Sequence, residues 1–355
     1  MTYRLGVLSG DGIGPEIVEA TLRVLDALQR RDSRLRFEWV RLPIGWEAIK
    51  KIGIATPEST IQALEKCDAW IMGPHDSASY PAAEQEKRNP SGELRHRFDL
   101  YANIRPARAY PGLTSVSPKM DLVVVRENTE GFYSDRNMAE GDGEVLVTPD
   151  MVLTLGKITR HASERIARTA FTLARQRRRK VALVHKANVI RKAYGLFLEA
   201  CHNVAKDFPE VDVDDYHIDA MTAHLVRRGA EFDVVLTTNM FGDILSDLAG
   251  ELAGSLGMAA SINAGVGRAM AQAAHGSAPD IAGKGIGNPV GLILSAAMLL
   301  SWLAAERRDA TAAEAGKAIE QAVAAALARG PRTPDLGGTA STSQFTEGIL
   351  KNLTA

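Results

Sequence analysis

The sequence predicts an α/β protein of about two domains with largely parallel strands. Three observations carry that prediction. Short apolar, β-branched runs recur along the chain, longer helix-periodic stretches fill much of the space between them, and each strand-like run ends in glycine or polar residues.

In chain order, "RLGVLSG" opens the series as a buried strand, and "GDGIGPE" (10–16) follows as a tight strand-to-helix turn with Pro15 near the helix start. A helical pattern over 58–66 leads to the strand "DAWIMGP". The strand "DLVVVREN" precedes a helical pattern over 151–176, "KVALVHKAN" precedes one over 189–206, and "FDVVLTTN" precedes one over 241–256. A last helical pattern covers 289–306; its run "VGLILSAAMLLSWLAA" is short for a membrane span and is expected to be a buried helix. In open α/β sheets ligands bind beyond the carboxyl ends of the strands. The polar residues there are Asp11, Arg126, Glu127, Lys186, Asn188, Asn239 and Asp243.

Composition narrows the function classes. The 355 residues are 45% hydrophobic and 24% charged, ordinary proportions for a globular chain with a large core. A net charge of −1 points to neither nucleic acid nor an anionic membrane. Cys67 and Cys201 stand alone, which argues against a disulfide scaffold or zinc ribbon and fits a reducing cytoplasm. The N-terminus reads as a strand, so a cytoplasmic protein is the expectation.

Several motifs carry candidate chemistry. "TTNMFGDILSDLAGELAGSLG" places Phe241, Ile244, Leu245, Leu248 and Leu252 on one helix side and Asp243 and Asp247 on the other, continued by Gly250 and Gly254. Like charges one turn apart repel by about 0.2–0.5 kcal/mol when exposed, so the pair reads as a solvated face or as a cation site. Arg95, Arg105 and Arg126 flank strand patterns and suit bidentate recognition of an acidic small substrate, whereas Arg97 reads as solvated. Lys186, just after a strand, fits a charge partner or a base, and Tyr133 an amphipathic aromatic or a proton donor.

"HGSAPDIAGKGIGNP" (275–289) reads as a surface loop or as one that lets a dinucleotide approach closely. In the second case Asp280 would accept from a ribose diol and repel a 2′-phosphate, favouring NAD over NADP. The "GDGIGPE" turn lacks the GxGxxG spacing and the later acidic residue of a Rossmann fingerprint. The run "RQRRRK" (175–180) reads as a solvated helix end whose cations complement the dipole.

Taken in order, "GDGIGPE", "DLYANIRP", "VVVRENTEGFY", "HKANV", "TTNMFGDILSDLAG" and "HGSAPDIAGKGIGNP" resemble the isocitrate/isopropylmalate dehydrogenase family of β-decarboxylating dehydrogenases, as does the closing "GPRTPDLGGTASTSQFTEGI". The resemblance implies a two-domain α/β/α, non-Rossmann fold with a mixed sheet. It puts residues 1–101 and 257–355 in a large cofactor-side domain, and 102–256 in a small domain bearing a homodimer interface with shared active sites. It also implies that Ser91, Arg95, Arg105 and Arg126 bind substrate, and that Asp243 and Asp247, with Asp219 from the other subunit, hold Mg²⁺ or Mn²⁺. Lys186, also from the other subunit, would be the base and Tyr133 the proton donor. Asn188, His275, Gly276, Ser277, Ala278, Asp280 and Asn288 would contact NAD.

The activity implied is oxidative decarboxylation of a (2R)-hydroxy acid with a 3-carboxylate, a small di- or tricarboxylate. Where the family usually reads "FEPVHG" this chain has "AQAAHG", with Gln272 in place of the acid. The segment before Arg95 lacks the leucines of an isopropyl pocket, so a polar or small substituent on carbon 3 is expected, as in isocitrate or homoisocitrate. Isopropylmalate, D-malate or tartrate are alternative substrates. A metal-dependent phosphoryl-transfer or hydrolytic enzyme and a non-catalytic regulatory subunit are the readings from other classes.

Overall fold

The computed structural model describes residues 1–133 and 143–354. The first third of the chain contains β1 (Thr2–Leu8), α1 (Gly14–Arg31), β2 (Arg36–Arg41), α2 (Trp46–Ile52), α3 (Glu58–Leu64) and β3 (Ala69–Met72), then α4 (Ala82–Gln85), α5 (Pro90–Arg97) and β4 (Ala102–Arg108). Next come β5 (Asp121–Glu127), β6 (Glu144–Thr148), β7 (Met151–Thr154), α6 (Arg160–Arg175), β8 (Lys180–His185) and α7 (Arg191–Ala205). The remainder comprises β9 (Asp212–His217), α8 (Ile218–Arg228), β10 (Val234–Thr237), α9 (Asn239–Ala253), β11 (Ile262–Gly265), β12 (Arg268–Gln272), α10 (Val290–Arg307), α11 (Ala310–Arg329) and α12 (Thr342–Thr354).

The chain divides into two compact units. One combines Met1–Phe98, Tyr110–Ser115 and Gly254–Ala355, and the other Asp99–Ala109 and Val116–Ala253. In the first, the strands run β2-β1-β3-β12-β11, parallel except for the antiparallel β11–β12 pair. The turn after β1 depends on glycine at Gly10 and Gly12, whose φ angles are +70° and +59°. A Cβ at Gly12 would lie 2.0 Å from the Ser277 carbonyl oxygen. Helix α10 has the length and composition to cross a membrane, but packs against α11 and β12 with most of its apolar side chains buried.

In the second unit the strands run β4-β5-β10-β8-β9, with only β4–β5 antiparallel. The central strands β5, β8 and β10 are largely apolar because both faces are covered, whereas the edge strand β9 is acidic and mostly exposed. Val123, Val125, Leu183 and Leu236 point to α6 and α7, while Leu122, Val124, Val184 and Val235 point to α8 and α9. Those helices leave the carboxyl ends of β5, β8 and β10 open to carry polar residues.

Three sequence expectations need correction. Residues 151–154 are a strand, paired antiparallel with β6, and the helix starts at Arg160. Thr159 sets that start by accepting a hydrogen bond from the Ala162 amide. Ile244 is exposed, because of the five large apolar residues of that stripe α9 turns only Phe241, Leu245 and Leu252 fully into the core. The basic run is not simply solvated. Arg177 donates to Asp233 (2.8 Å) and Asp121 (2.8 Å), and the Arg178 amide donates to Asp233 (2.8 Å).

Candidate active site

The second unit gathers arginines and aspartates above the carboxyl end of β5. Asn103 and Arg105 lie two residues apart on β4 and so share a face, and Asn103 is in register with Arg126 on β5. Helix α9 starts at Asn239 and lies across β4 and β5, bringing Asp243, Ser246 and Asp247 over them on successive turns. Gly242 permits that approach: a Cβ there would lie 2.6 Å from Arg126 Cβ and Cγ.

The polar groups interlock. Arg126 Nε donates to Asn239 Oδ1 (2.8 Å) and its Nη1 to Asp243 Oδ1. Arg105 Nη1 reaches Asp243 Oδ1 (3.1 Å), Ser246 Oγ (2.8 Å) and Asp247 Oδ1 (3.4 Å), while its Nε donates to Asn103 (2.5 Å). Tyr133 donates its hydroxyl to Asp243 Oδ2 (2.5 Å), and its ring lies beside the Arg126 guanidinium.

Exposure separates the two signs of charge. The side chains of Arg105 and Arg126 are 6% and 1% exposed, whereas those of Asp243 and Asp247 are 37% and 48% exposed. Two buried cations thus carry two outward carboxylates, which answers the repulsion the sequence raised. Burial pushes the Asp247 carboxyl up, with Asp243 adding to the shift and Arg105 opposing it. Burial also pushes the Tyr133 phenol above its ordinary range, so it holds its proton near neutral pH.

Lys186, after β8, pairs with Asp219 in the first turn of α8, and this hydrogen bond holds the Asp219 carboxyl below its usual range. Among the described residues no three His, Cys, Asp or Glu side chains form a metal-holding group, so Asp219 does not complete the Asp243–Asp247 pair within one chain. Asn188 is exposed in the loop after β8. Glu127 is used locally: its carboxylate accepts from the Thr129 and Glu130 amides.

In the first unit Ser91 and Arg95 stand one turn apart on α5, whose N-cap Asn89 accepts from the Gly92 amide. Both meet Gln272 at the carboxyl end of β12. Asp11 accepts from the Trp46 and Asp76 amides (2.8 and 3.0 Å) and from the Tyr80 hydroxyl. Burial raises its carboxyl, but these bonds and His75 outweigh that and hold it below the usual range.

The loop after β12 contains the remaining candidates. His275 turns Nδ1 toward the Gly276 carbonyl (3.0 Å), and burial lowers its pKa. Gly276 and Asp280 are exposed, Ser277 is buried, and Ala278 takes a positive φ of +42°. Asn288 is partly engaged: it donates to Asp335 (2.9 Å) and accepts from the Val290 amide (3.0 Å) at the start of α10.

Sequence reasoning missed the supporting Asn103 and Ser246. Each had a signal, since Asn103 sits one strand period from Arg105 and Ser246 follows Asp243 by three residues on the helix. With the geometry established, comparison with known proteins defines the class. The profile of the isocitrate/isopropylmalate dehydrogenase family matches residues 4–349. An isocitrate/homoisocitrate dehydrogenase from Thermus thermophilus is 44% identical over 99% of both chains. A 3-isopropylmalate dehydrogenase from Archaeoglobus fulgidus is 43% identical, also over 99% of both. The crystal structure of isocitrate dehydrogenase from Methylococcus capsulatus superposes with a TM-score of 0.88 at 37% identity, covering 99% of this chain and 100% of that one. The chain belongs to the isocitrate/isopropylmalate dehydrogenase family and is a decarboxylating hydroxy-acid dehydrogenase.

Proposed function

We propose that the protein oxidatively decarboxylates a (2R)-hydroxy acid carrying a 3-carboxylate and a polar or small 3-substituent, with NAD and Mg²⁺ or Mn²⁺. The observation that carries this reading is the outward Asp243–Asp247 pair on buried Arg105 and Arg126, with the Tyr133 hydroxyl on Asp243.

Two carboxylates one helical turn apart offer hard oxygen donors of the kind Mg²⁺ and Mn²⁺ take, with room for further oxygens from substrate, water and Asp219 of a second copy of the chain. When bound, the cation supplies Lewis-acid charge at the hydroxyl oxygen and NAD⁺ supplies the hydride acceptor. Arg105 and Arg126, with Arg95, orient substrate carboxylates. Lys186 of a second copy of the chain takes the hydroxyl proton. Tyr133 keeps a proton on its phenolic oxygen and returns one to the carbon that loses CO₂. His275, Gly276, Ser277, Ala278, Asp280, Asn188 and Asn288 hold the dinucleotide, and the exposed Asp280 carboxylate disfavours NADP.

A homodimer with shared sites, in the cytoplasm, completes the proposal. Its supports are the exposed apolar side chains Val145, Leu146, Val152 and Leu153 of β6 and β7, the exposed Ile244 beside Asp243, and two free, buried cysteines.

The deciding experiment is a panel of isocitrate, homoisocitrate, isopropylmalate, D-malate and tartrate, each with NAD⁺ or NADP⁺ and Mn²⁺. NADH formation, fastest by kcat/KM with a polar or unsubstituted acid, is expected. Isopropylmalate as the best substrate would refute the assigned substituent, a preference for NADP⁺ would refute the role of Asp280, and no reduced cofactor with any acid would refute the reaction.

A further inference from the structure

We infer that Asn239 is a positioning residue for the return of a proton to carbon. Its buried side-chain amide holds the segment Glu130–Tyr133 against α9, so that the Tyr133 phenol stays at the site when it lets go of Asp243. This inference rests on the role of Tyr133 in the reaction proposed above and adds a residue to it.

Asn239 opens α9 and is wholly buried, yet neither end of its amide serves the helix. Its Oδ1 accepts from Arg126 Nε (2.8 Å), and its Nδ2 donates to the Glu130 carbonyl (2.9 Å). A guanidinium only donates and a carbonyl only accepts, so the two partners allow one orientation of the amide. Asp243 follows one turn later on the same face of α9. It accepts from Arg126 Nη1 and from the Tyr133 hydroxyl (2.5 Å). Helix α9 thus clips the segment at both ends, Glu130 through Asn239 and Tyr133 through Asp243, and grips Arg126 between the clips.

The reaction treats the two clips differently. To give its proton to carbon, the Tyr133 hydroxyl has to leave the Asp243 oxygen and turn to substrate. The Asn239 bond goes to backbone and stays closed. Gly131, next to the clipped carbonyl, takes a φ of +103°, and a Cβ on it would lie 3.2 Å from Asn239 Cβ. Its amide donates to the Lys157 carbonyl (2.8 Å) and its carbonyl accepts from the Lys157 amide (2.9 Å). The segment therefore turns directly against Asn239, with only Phe132 between that turn and Tyr133.

Substitutions separate the two bonds of the amide. Asn239→Asp keeps an oxygen for Arg126 Nε and sets the other against the Glu130 carbonyl, acceptor against acceptor. Asn239→Ala removes both bonds.

The test is hydrogen exchange at carbon 3 of 2-oxoglutarate and pyruvate, the 2-oxo acids that isocitrate and D-malate give, in D₂O with Mn²⁺, followed by mass spectrometry. Run backwards from the 2-oxo acid, the step carries a carbon-3 proton to the Tyr133 phenolate and leaves the enolate; a deuteron from solvent returns by the same route. Asn239→Asp is expected to slow this exchange about 10-fold or more while leaving KM for the hydroxy acid within about 3-fold. Asn239→Ala should slow it as much and raise that KM as well. In a Tyr133→Phe background Asn239→Asp should cost clearly less, because the two act on one proton transfer. A purely structural amide would cost stability alone. Wild-type exchange in folded Asn239→Asp, or additive losses, would therefore overturn the inference while leaving the reaction intact. If wild type exchanges neither 2-oxo acid and reduces no cofactor, the proposed reaction fails. The positioning is then read on the unliganded protein: the Gly131 amide should exchange about 10-fold or more faster in Asn239→Asp, and equal protection overturns the inference.

Discussion

At the two ends of β5 and β10 the second unit builds an aspartate–arginine cluster twice, from the same residue types and with opposite results. At the amino ends Asp233 is wholly buried, and Arg177 and the Arg178 amide surround it, with Asp121 alongside. At the carboxyl ends the burial is reversed: Arg105 and Arg126 are buried and Asp243 and Asp247 face outward. In the first cluster the anion is enclosed by its own chain and has nothing left to bind. In the second the buried cations hold carboxylates that are more than a third exposed. Which partner is buried, more than the presence of the pair, separates a structural cluster from a candidate site.

Three substitutions test that contrast, from the largest effect to the smallest. Asp243→Asn should lower kcat/KM by about 10²–10³-fold and weaken the Mn²⁺ dependence, while costing less folding stability than the equivalent change at Asp233. A metal titration unchanged from wild type would remove Asp243 from the site. Asp233→Asn should instead cost about 3 kcal/mol in urea unfolding, because it leaves Arg177 without its buried partner, and should leave kcat/KM within about 2-fold. Loss of activity in fully folded Asp233→Asn would break the comparison.

The smallest effect on activity concerns Glu130, which is buried and bonded to the Thr159 amide (2.7 Å) and hydroxyl (2.9 Å). Burial, with Glu127 adding to it, pushes its carboxyl from 4.5 up to about 7. The folded state therefore holds this proton more tightly than the unfolded chain. Its contribution is full below about pH 4.5 and is lost as pH rises through about 7. Glu130→Gln stays neutral, so its stability relative to wild type should rise across that window with a slope approaching about 1.4 kcal/mol per pH unit, then level off. Unfolding curves with a pH-independent difference would refute the assignment.

Much of this was legible in advance. The runs around Val123, Leu183 and Val235 marked the buried strands because both faces are covered, and the polar residues at their ends marked where to look. The Asp243–Asp247 spacing and the arginines Arg105 and Arg126 were visible as residue types. Residues 151–154 misled because a short apolar run fits a helix or a strand equally, and the choice fell to pairing with β6. Ile244 misled because helical periodicity gives a stripe without saying how wide the covering core is.

By itself the sequence determined the alternation of strands and helices, the apolar faces that build the core, and the chemical repertoire at the strand ends, all of which are periodic or local properties. Only the tertiary structure decided which arginine meets which aspartate. Arg105 finds Asp243 across 138 residues and Arg177 finds Asp233 across 56. Such choices depend on burial and on the direction of single hydrogen bonds, which are set when distant segments pack and have no period along the chain.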